Sequence, residues 1–181
     1  MAKGIPKITL YTAHHCPFAH RVQIALRELS LDFEQILIDI LAPRTPEYLA
    51  LNPSGQVPTL VVNDLILTES GLILQYLADA HPSYLLKTSS EPGGPLQRFN
   101  FGKFVDTYSK IHLNFDAAIY ATTEDAKNKA ASAYVAGLVK NVEPLLVGSA
   151  PFLGGMEHLS LAEVSTIHDT RFDVGFGSDH V

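Results

Sequence analysis

The sequence predicts an α/β unit with the element order βαβαββα, followed by an all-helical region. Three observations indicate this organisation. Strand-like and helix-like patterns alternate over residues 7–80, a stretch rich in Pro, Gly and Ser lies at 81–95, and only helical periodicity follows it. The 181 residues, 46% of them hydrophobic, suffice for one substantial core or two small ones. We therefore expect one domain at 1–82, a linker at 83–95 and a helical domain at 96–181.

The first half of this order follows from local patterns. Residues 7–12 alternate polar and apolar side chains, as a half-buried strand does. Apolar residues at 18, 22, 25, 26 and 29 then line one face of a helix, and Pro17 suits the first helical position because its missing N–H is not needed there. A second strand is predicted at 33–40, and a short helix at 46–51 that ends at Asn52-Pro53.

The second half contains a hairpin and four helices. Two β-forming runs at 59–62 and 65–68 flank the turn pair Asn63-Asp64, which predicts an antiparallel hairpin. An amphipathic helix begins at Glu69 and ends before His81. Long helices are predicted at 96–121, where aromatic residues are frequent, and at 124–147. The S-x-x-E pattern from Ser160 to Glu163, with Leu159 and Val164 placed as a hydrophobic staple, predicts the start of a further helix.

Composition excludes several classes of function. Thirteen Lys and Arg against nineteen Asp and Glu give a formal net charge of −6, which argues against a nucleic-acid partner. The amino terminus has no apolar leader, and no stretch approaches the roughly 18 apolar residues of a membrane span. We expect a soluble, cytoplasmic protein. The single cysteine, Cys16, cannot form an internal disulfide or a CxxC pair.

Cys16 lies between a predicted strand and a predicted helix. The unpaired N–H groups in the first turn of a helix stabilise a thiolate, so this position favours a reactive thiol over a buried structural one. His14 and His15 precede the cysteine and His20 follows it, but one thiol with adjacent histidines lacks the spacing of a metal site. We expect solvated histidines and no metal. A protonated His14 or His15 would further favour the thiolate.

Two further segments are candidates for binding a ligand. Pro58 directly precedes a predicted strand, and a proline there belongs at a strand entrance or in a cis turn. With a cis bond, the backbone of Val57 would pair with a ligand as an added strand does; with a trans bond, the segment is an ordinary loop. Glu69-Ser70 opens the third helix, where Ser70 suits a carboxylate and Glu69 an ammonium group. The alternative is that Glu69 or Thr68 only caps the helix.

Together these motifs resemble the cytosolic glutathione transferases, and among them the omega-like, cysteine-type members. The segment Cys16-Pro17-Phe18-Ala19-His20-Arg21 resembles their active-site segment. Residues 52–58, Asn-Pro-Ser-Gly-Gln-Val-Pro, resemble their cis-proline loop, and Glu69-Ser70 resembles the pair that holds the γ-glutamyl end of glutathione. The resemblance implies a thioredoxin-like N-terminal domain followed by an all-α C-terminal domain, the glutathione transferase fold.

The resemblance also implies a ligand and a role for each site residue. Glutathione would be the co-substrate, with a small electrophilic or disulfide compound as its partner and a homodimer as the assembly. Cys16 would be the nucleophile, forming a mixed disulfide with glutathione. The other roles fall to residues that line the thiol pocket, hold the cysteinyl part and bind the γ-glutamyl group: respectively Phe18, Val57 with Pro58, and Glu69 with Ser70. Because Ala19 replaces the second cysteine of a CxxC pair, a second glutathione would release the enzyme thiolate.

The sequence departs from the family pattern at two places. Omega-like members often place a lysine before the second helix to meet the glycine carboxylate, and Arg44 stands in that neighbourhood here. A complete second domain continues for several helices past the capping box, whereas this chain changes character near Ser165 and becomes polar. We therefore expect a truncated helical domain. The alternatives to an enzyme of thiol transfer, reduction or conjugation are a non-catalytic glutathione-binding or protein-binding relative and a transferase-like member of a natural-product pathway.

Overall fold

A computed structural model describes residues 6–166. Its four strands form one mixed sheet in the order β2-β1-β3-β4: β1 (Ile8–Thr12), β2 (Glu34–Leu37), β3 (Thr59–Val62) and β4 (Leu65–Leu67). β1 pairs in parallel with β2 and antiparallel with β3, and β3 pairs antiparallel with β4. The predicted hairpin is confirmed, with Asn63 in the left-handed region at φ 54°.

Within residues 6–166, six α-helices follow the predicted order: α1 (Pro17–Glu28), α2 (Pro46–Leu51), α3 (Ser70–Ala80), α4 (Gly94–Tyr120), α5 (Glu124–Gly137) and α6 (Leu161–Thr166). The helices α1 and α3 pack against each other and contribute to the main core together with the central strands. Leu10 and Leu60 are paired across β1 and β3, and both are fully buried with Leu26 and Ile73. This packing fixes the amino-terminal ends of α1 and α3, where the candidate site residues lie.

Two predicted elements are shorter than the sequence patterns indicate. The strand predicted at 33–40 is confined to β2, because the Asp39 carboxylate accepts a hydrogen bond from Leu41 N at 2.8 Å and turns the chain. The helix predicted at 124–147 ends at Gly137 and continues as a π-helical turn, Leu138–Val142, and a 3-10 turn, Glu143–Leu146. Pro144 lacks the N–H that a continuing α-helix would need there.

The segment after α3 ties the helical region to the first unit. Leu85 and Leu86 are buried in the core, and Leu85 O accepts a hydrogen bond from Leu161 N at 2.8 Å. The Tyr84 hydroxyl donates to the Glu28 carboxylate, and this hydrogen bond raises the pKa of Tyr84. α6 packs against α4, α1 and α3. The placement of α6 is therefore determined by contacts with both the helical region and the first unit.

The capping box at the start of α6 is formed as predicted. The Glu163 carboxylate accepts from Ser160 N at 2.8 Å and from the Ser160 hydroxyl, which in turn accepts from Ala162 N at 3.2 Å. Val164 is fully buried, and Leu159 packs against the same core. The polar stretch at 167–181 lies outside the described residues. Within residues 6–166, no helix combines the length and the apolar character that a membrane span needs.

Candidate functional site

Cys16 caps α1 at the end of the loop that leaves β1. Its backbone N donates to Ala13 O at 3.1 Å, and its carbonyl accepts from Ala19 N and His20 N at 3.1 and 3.0 Å. The half-buried thiol makes no capping hydrogen bond among the described residues. Instead Sγ donates to Val57 O at 3.7 Å. The position of Cys16 at a helix start predicts first-turn N–H groups around the sulfur, whereas in the structure the sulfur points towards the loop before β3.

That loop enters β3 through a cis peptide bond between Val57 and Pro58, one of the two alternatives that the sequence left open. Pro58 is buried and Val57 is half-buried beside the thiol. The Val57 carbonyl and the Cys16 sulfur are therefore hydrogen-bonded to each other at the start of α1. Such a group matches the edge of an extended peptide ligand.

A buried polar network fixes this loop. Asn52, 5% exposed, donates through Nδ2 to Gln56 O at 2.9 Å and to Thr59 Oγ1 at 3.0 Å. The Tyr48 hydroxyl donates to the same Gln56 carbonyl at 2.6 Å. Because two donors hold the carbonyl of the residue before Val57, the backbone that faces Cys16 has little freedom. Asn52 was quoted in the sequence motif, but its anchoring role was not predicted.

Arg44, which the sequence suggests as a partner for a glycine carboxylate, instead donates hydrogen bonds to backbone carbonyl oxygens. Its guanidinium donates to the carbonyl oxygens of Gly55, Asp39 and Ala42 at 2.8, 2.7 and 2.6 Å. These bonds join the loop after β2 to the loop that contains Val57. With a longer bond to Ile40 O at 3.4 Å, Arg44 holds the backbone around the site through four carbonyl oxygens.

Glu69 and Ser70 lie at the amino-terminal end of α3. Glu69 has φ 64°, exposes its side chain, and makes no side-chain capping hydrogen bond among the described residues; its carbonyl accepts from Leu72 N and Ile73 N. Glu69 is therefore the residue that starts α3, as the capping alternative has it, but it does so through its backbone carbonyl and leaves the carboxylate out of the cap. Ser70 is 6% exposed, and its hydroxyl accepts two hydrogen bonds from Arg21.

The remaining sequence candidates surround Cys16 at the surface. Phe18 is 48% exposed, and the Arg21 guanidinium lies over its ring at 5.4 Å. His14 and His15 are exposed and line a cavity of about 350 Å³ together with residues 37–41, which are apolar except for Asp39. In the part of the chain that the structure describes, no three His, Cys, Asp or Glu side chains come together as a metal site.

Arg21, the residue that joins these parts, is a site residue that the sequence did not predict. It was quoted as the last residue of the Cys16 segment and given no role of its own. The signal available was a cation one helical turn after Pro17 in an otherwise apolar helix face, which indicates a partner inside the fold. Only the structure shows that this partner is Ser70.

These features define a class of protein: a thioredoxin-like unit with a thiol at the start of its first helix and a cis-proline loop beside it, followed by a helical region. Residues 6–79 match the protein family described as "Glutathione S-transferase, N-terminal domain". This part of the chain is similar to a glutathione S-transferase N-terminal domain, and residues 6–166 together have the glutathione transferase fold.

Curated proteins similar to parts of this chain are named as glutathione S-transferases and as a maleylacetoacetate isomerase. "Glutathione S-transferase GST-4.5" of Xanthomonas campestris is 34% identical over 121 residues, 61% of this chain and 59% of the relative. "Glutathione S-transferase 2" of Schizosaccharomyces pombe is 46% identical over 78 residues, 40% of this chain and 34% of the relative. "Maleylacetoacetate isomerase" of Pseudomonas aeruginosa is 36% identical over 94 residues, 49% of this chain and 42% of the relative. The chain thus spans between 34% and 59% of the length of these relatives.

Solved structures share the fold over most of the described chain. Glutathione transferase Omega 3C from Trametes versicolor superimposes with a TM-score of 0.76 at 22% identity, covering 90% of this chain and 71% of that one. Rice GST1, in complex with glutathione, gives a TM-score of 0.76 at 24% identity, covering 91% and 74%. At these identities the likeness shows the fold, including its helical region.

Proposed function

We propose that the protein binds glutathione and uses Cys16 as the nucleophile of glutathione-dependent thiol transfer, in the manner of omega-like transferases. The observation that supports this most directly is the position of the Cys16 thiol, 3.7 Å from the carbonyl of Val57 at the start of α1. The Cys16 thiol beside the Val57 backbone suits a ligand that contains both a sulfur atom and a peptide backbone. Glutathione has both.

The other site residues fit the rest of that ligand. Val57 and Pro58 would hold the cysteinyl part, and the Ser70 hydroxyl, beside the Arg21 cation, would bind the γ-glutamyl carboxylate. The exposed Glu69 carboxylate, which caps nothing within the described residues, would accept from the γ-glutamyl ammonium group. Phe18 would cover the thiol from the solvent side.

The reaction follows from a single thiol. The Cys16 thiolate attacks the glutathione sulfur of a mixed disulfide RS–SG, which forms Cys16–SG and releases RS⁻, which takes up a proton from water. A second glutathione thiolate attacks Cys16–SG, regenerating the Cys16 thiolate and forming oxidised glutathione. The net reaction, RS–SG + GSH → RSH + GSSG, reduces the RS sulfur of the substrate to a thiol and oxidises one glutathione thiol, while the other glutathionyl group comes from the substrate disulfide. No second cysteine exists in the chain to replace the second glutathione.

The test is the intact mass of the protein after exposure to oxidised glutathione. Because Cys16 is the only cysteine, one glutathionyl adduct on the native chain is expected, and none on Cys16→Ser. Turnover of a glutathione mixed disulfide should also depend on Cys16. An adduct-free native chain would overturn the thiol-transfer proposal; binding of glutathione without Cys16-dependent turnover would instead support the non-catalytic alternative.

A second candidate is a glutathione-dependent isomerase. The observation that favours it is the group of relatives named maleylacetoacetate isomerase, from Pseudomonas aeruginosa and Aspergillus fumigatus, and the zeta-class relative of Euphorbia esula. Isomerisation leaves the substrate's oxidation state unchanged and needs no disulfide at Cys16. Isomerisation of maleylacetoacetate that survives Cys16→Ser would favour this candidate over thiol transfer.

We further propose the division into a glutathione-binding domain at 1–82, a linker at 83–95 and a helical domain at 96–181, acting as a cytoplasmic homodimer. Support for self-association comes from apolar side chains exposed on β4 and α3, with Leu65, Ile66 and Leu72 at 47%, 45% and 62%. Sedimentation of the native chain and of Ile66→Glu tests the dimer: the native chain should sediment as a dimer and the variant as a monomer. Cell fractionation tests the location.

A further inference from the structure

Arg21 connects three helices through one guanidinium. From α1 it donates to the Ser70 hydroxyl of α3 through Nε at 3.0 Å and through Nη2 at 2.5 Å. Its third nitrogen, Nη1, donates to the Ser165 carbonyl of α6 at 3.0 Å. Ser165 is 8% exposed and Ser70 is 6% exposed, so both partners are largely shielded from water. The Arg21 guanidinium thus links the start of α3 to the last turn of α6 that the structure describes.

The two hydrogen bonds from Arg21 determine which hydrogen-bonding positions of the Ser70 hydroxyl remain available to a ligand. A serine hydroxyl has two acceptor positions and one O–H donor. Nε–H and Nη2–H occupy both acceptor positions, so the hydroxyl hydrogen must point away from Arg21. The structure gives that hydrogen no acceptor within residues 6–166. The hydroxyl is therefore preset as a donor, and a cation stands directly behind it, which selects an anionic acceptor such as a carboxylate.

The bond from Arg21 to α6 borders open space, in addition to the packing of α6 against α1, α3 and α4. A cavity of about 370 Å³ borders Arg21 and lies between α1 and α3 on one side and α4 and α6 on the other. Gly71, which follows Ser70, also borders it; a Cβ built there would lie 3.7 Å from Nη2. Beside this open space, the bond from Nη1 to the Ser165 carbonyl is a direct polar tie between the first unit and α6.

We propose that Arg21 is a positioning residue that aims the Ser70 hydroxyl at the γ-glutamyl carboxylate of glutathione and couples this contact to the docking of α6. The inference rests on the proposed binding of glutathione and adds a regulation of that site. Because coupling between two sites is reciprocal, a ligand carboxylate that holds Ser70 and Arg21 in place also stabilises the bond to Ser165, and a docked α6 in turn favours the ligand.

The test uses S-methylglutathione, a thioether that cannot form a disulfide with Cys16. Its affinity is measured by calorimetry for the native chain, Arg21→Met, Ser70→Ala and the double variant. Hydrogen exchange of residues 161–166 is followed with and without the ligand. Arg27→Met is the matched control, since this arginine is exposed in the last turn of the same helix. Arg21→Lys replaces the fork by a single ammonium group and guards against misfolding of Arg21→Met.

We expect Arg21→Met and Ser70→Ala each to weaken binding about tenfold and the double variant to be no weaker than about the worse single one, because both remove the same contact. Arg21→Lys should fold, bind with intermediate affinity and lose the coupling. The ligand should slow exchange at 161–166 in the native chain and in Arg27→Met, but not in the Arg21 variants.

Two results would overturn the inference while leaving the proposed function intact. One is an additive loss of affinity in the double variant. The other is faster exchange at 161–166 in Arg21→Met with unchanged affinity, which would mean that Arg21 only fastens α6. If the native chain does not bind S-methylglutathione at all, the proposed function fails and the inference fails with it.

Discussion

Gly137 and Gly102 are predicted to respond in opposite ways to the same substitution. Both are helical, in α5 and α4, and alanine is the better helix former by about 0.8–1 kcal/mol. A Cβ added at Gly137 would lie 2.9 Å from Cγ2 and 3.2 Å from Cγ1 of Ile111, which is 7% exposed. A Cβ added at Gly102 would meet nothing within 4 Å.

The two variants therefore separate the clash from the helix propensity. Carbon atoms pack at about 3.5–4.0 Å, so Gly137→Ala must push α5 away from α4 or move the buried Ile111. Such overpacking costs about 1–3 kcal/mol. Because both variants gain the same propensity, Gly137→Ala should be about 1–3 kcal/mol less stable than Gly102→Ala, which should itself be more stable than the native chain.

Urea unfolding followed by far-ultraviolet circular dichroism measures this difference, since the chain has no tryptophan to report by fluorescence. The m-values of the variants should agree with the native value, so that a shift in midpoint is a shift in stability. If Gly137→Ala stabilises the protein as much as Gly102→Ala does, the close crossing of α4 and α5 at Ile111 is refuted.

The remaining predictions concern polar groups. Glu163→Ala removes the carboxylate that caps α6 with Ser160 and should lower the free energy of unfolding by about 2–4 kcal/mol in urea titrations. Asn52→Ala frees the loop before Pro58 and should weaken S-methylglutathione binding severalfold by calorimetry, besides costing about 1–3 kcal/mol of stability. Two hydrogen bonds lower the pKa of Glu91: the larger effect comes from the backbone N–H of Thr88 and the smaller from the Thr88 hydroxyl. The ionised Glu91 carboxylate therefore stabilises the fold fully above the ordinary carboxyl pKa, and this stabilisation is lost as the pH falls through the lowered pKa. A carbon-13 NMR titration measures that pKa.

Each of these has a control that the structure supplies. The exposed Glu157→Ala should leave the unfolding midpoint unchanged, and an equal loss in both variants would contradict the role assigned to Glu163. For Asn52→Ala, unaltered affinity would mean that the Val57 loop holds its shape without the buried amide. In Thr88→Val, which keeps the backbone N–H and removes the hydroxyl, the pKa of Glu91 should rise only part of the way.

The sequence determines the first unit better than the helical region because its signals are local. The turn pair Asn63-Asp64 and the proline at the start of α1 act within a few residues, and the elements beside them form as predicted. The close approach of Gly137 in α5 to Ile111 in α4 depends on how the two helices cross, and no pattern near Gly137 contains that information. The early end of β2 depends on one side chain, Asp39, bonding to the backbone two residues on.

The candidate site divides in the same way. The positions of Cys16 at a helix start and of Ser70 at another follow from motifs, and the structure places both there. The direction of the thiol towards Val57, and the bond between Arg21 and Ser70, join residues 41 and 49 positions apart. Such pairings depend on how α1, α3 and β3 pack. They could not be derived from the order of residues along any one element.

The contact between Arg21 and Ser165 has a consequence for the newly made chain. The two residues are separated by 144 positions, and the ribosome adds about 5–20 residues each second. Roughly 7–30 s therefore pass between the synthesis of Arg21 and that of Ser165, and over this interval Arg21 lacks its α6 partner. The thioredoxin-like half is thus synthesised well before the segment that completes the hydrogen bonding of this arginine, so a partly made chain contains the thiol and Ser70 without their tie to the helical region.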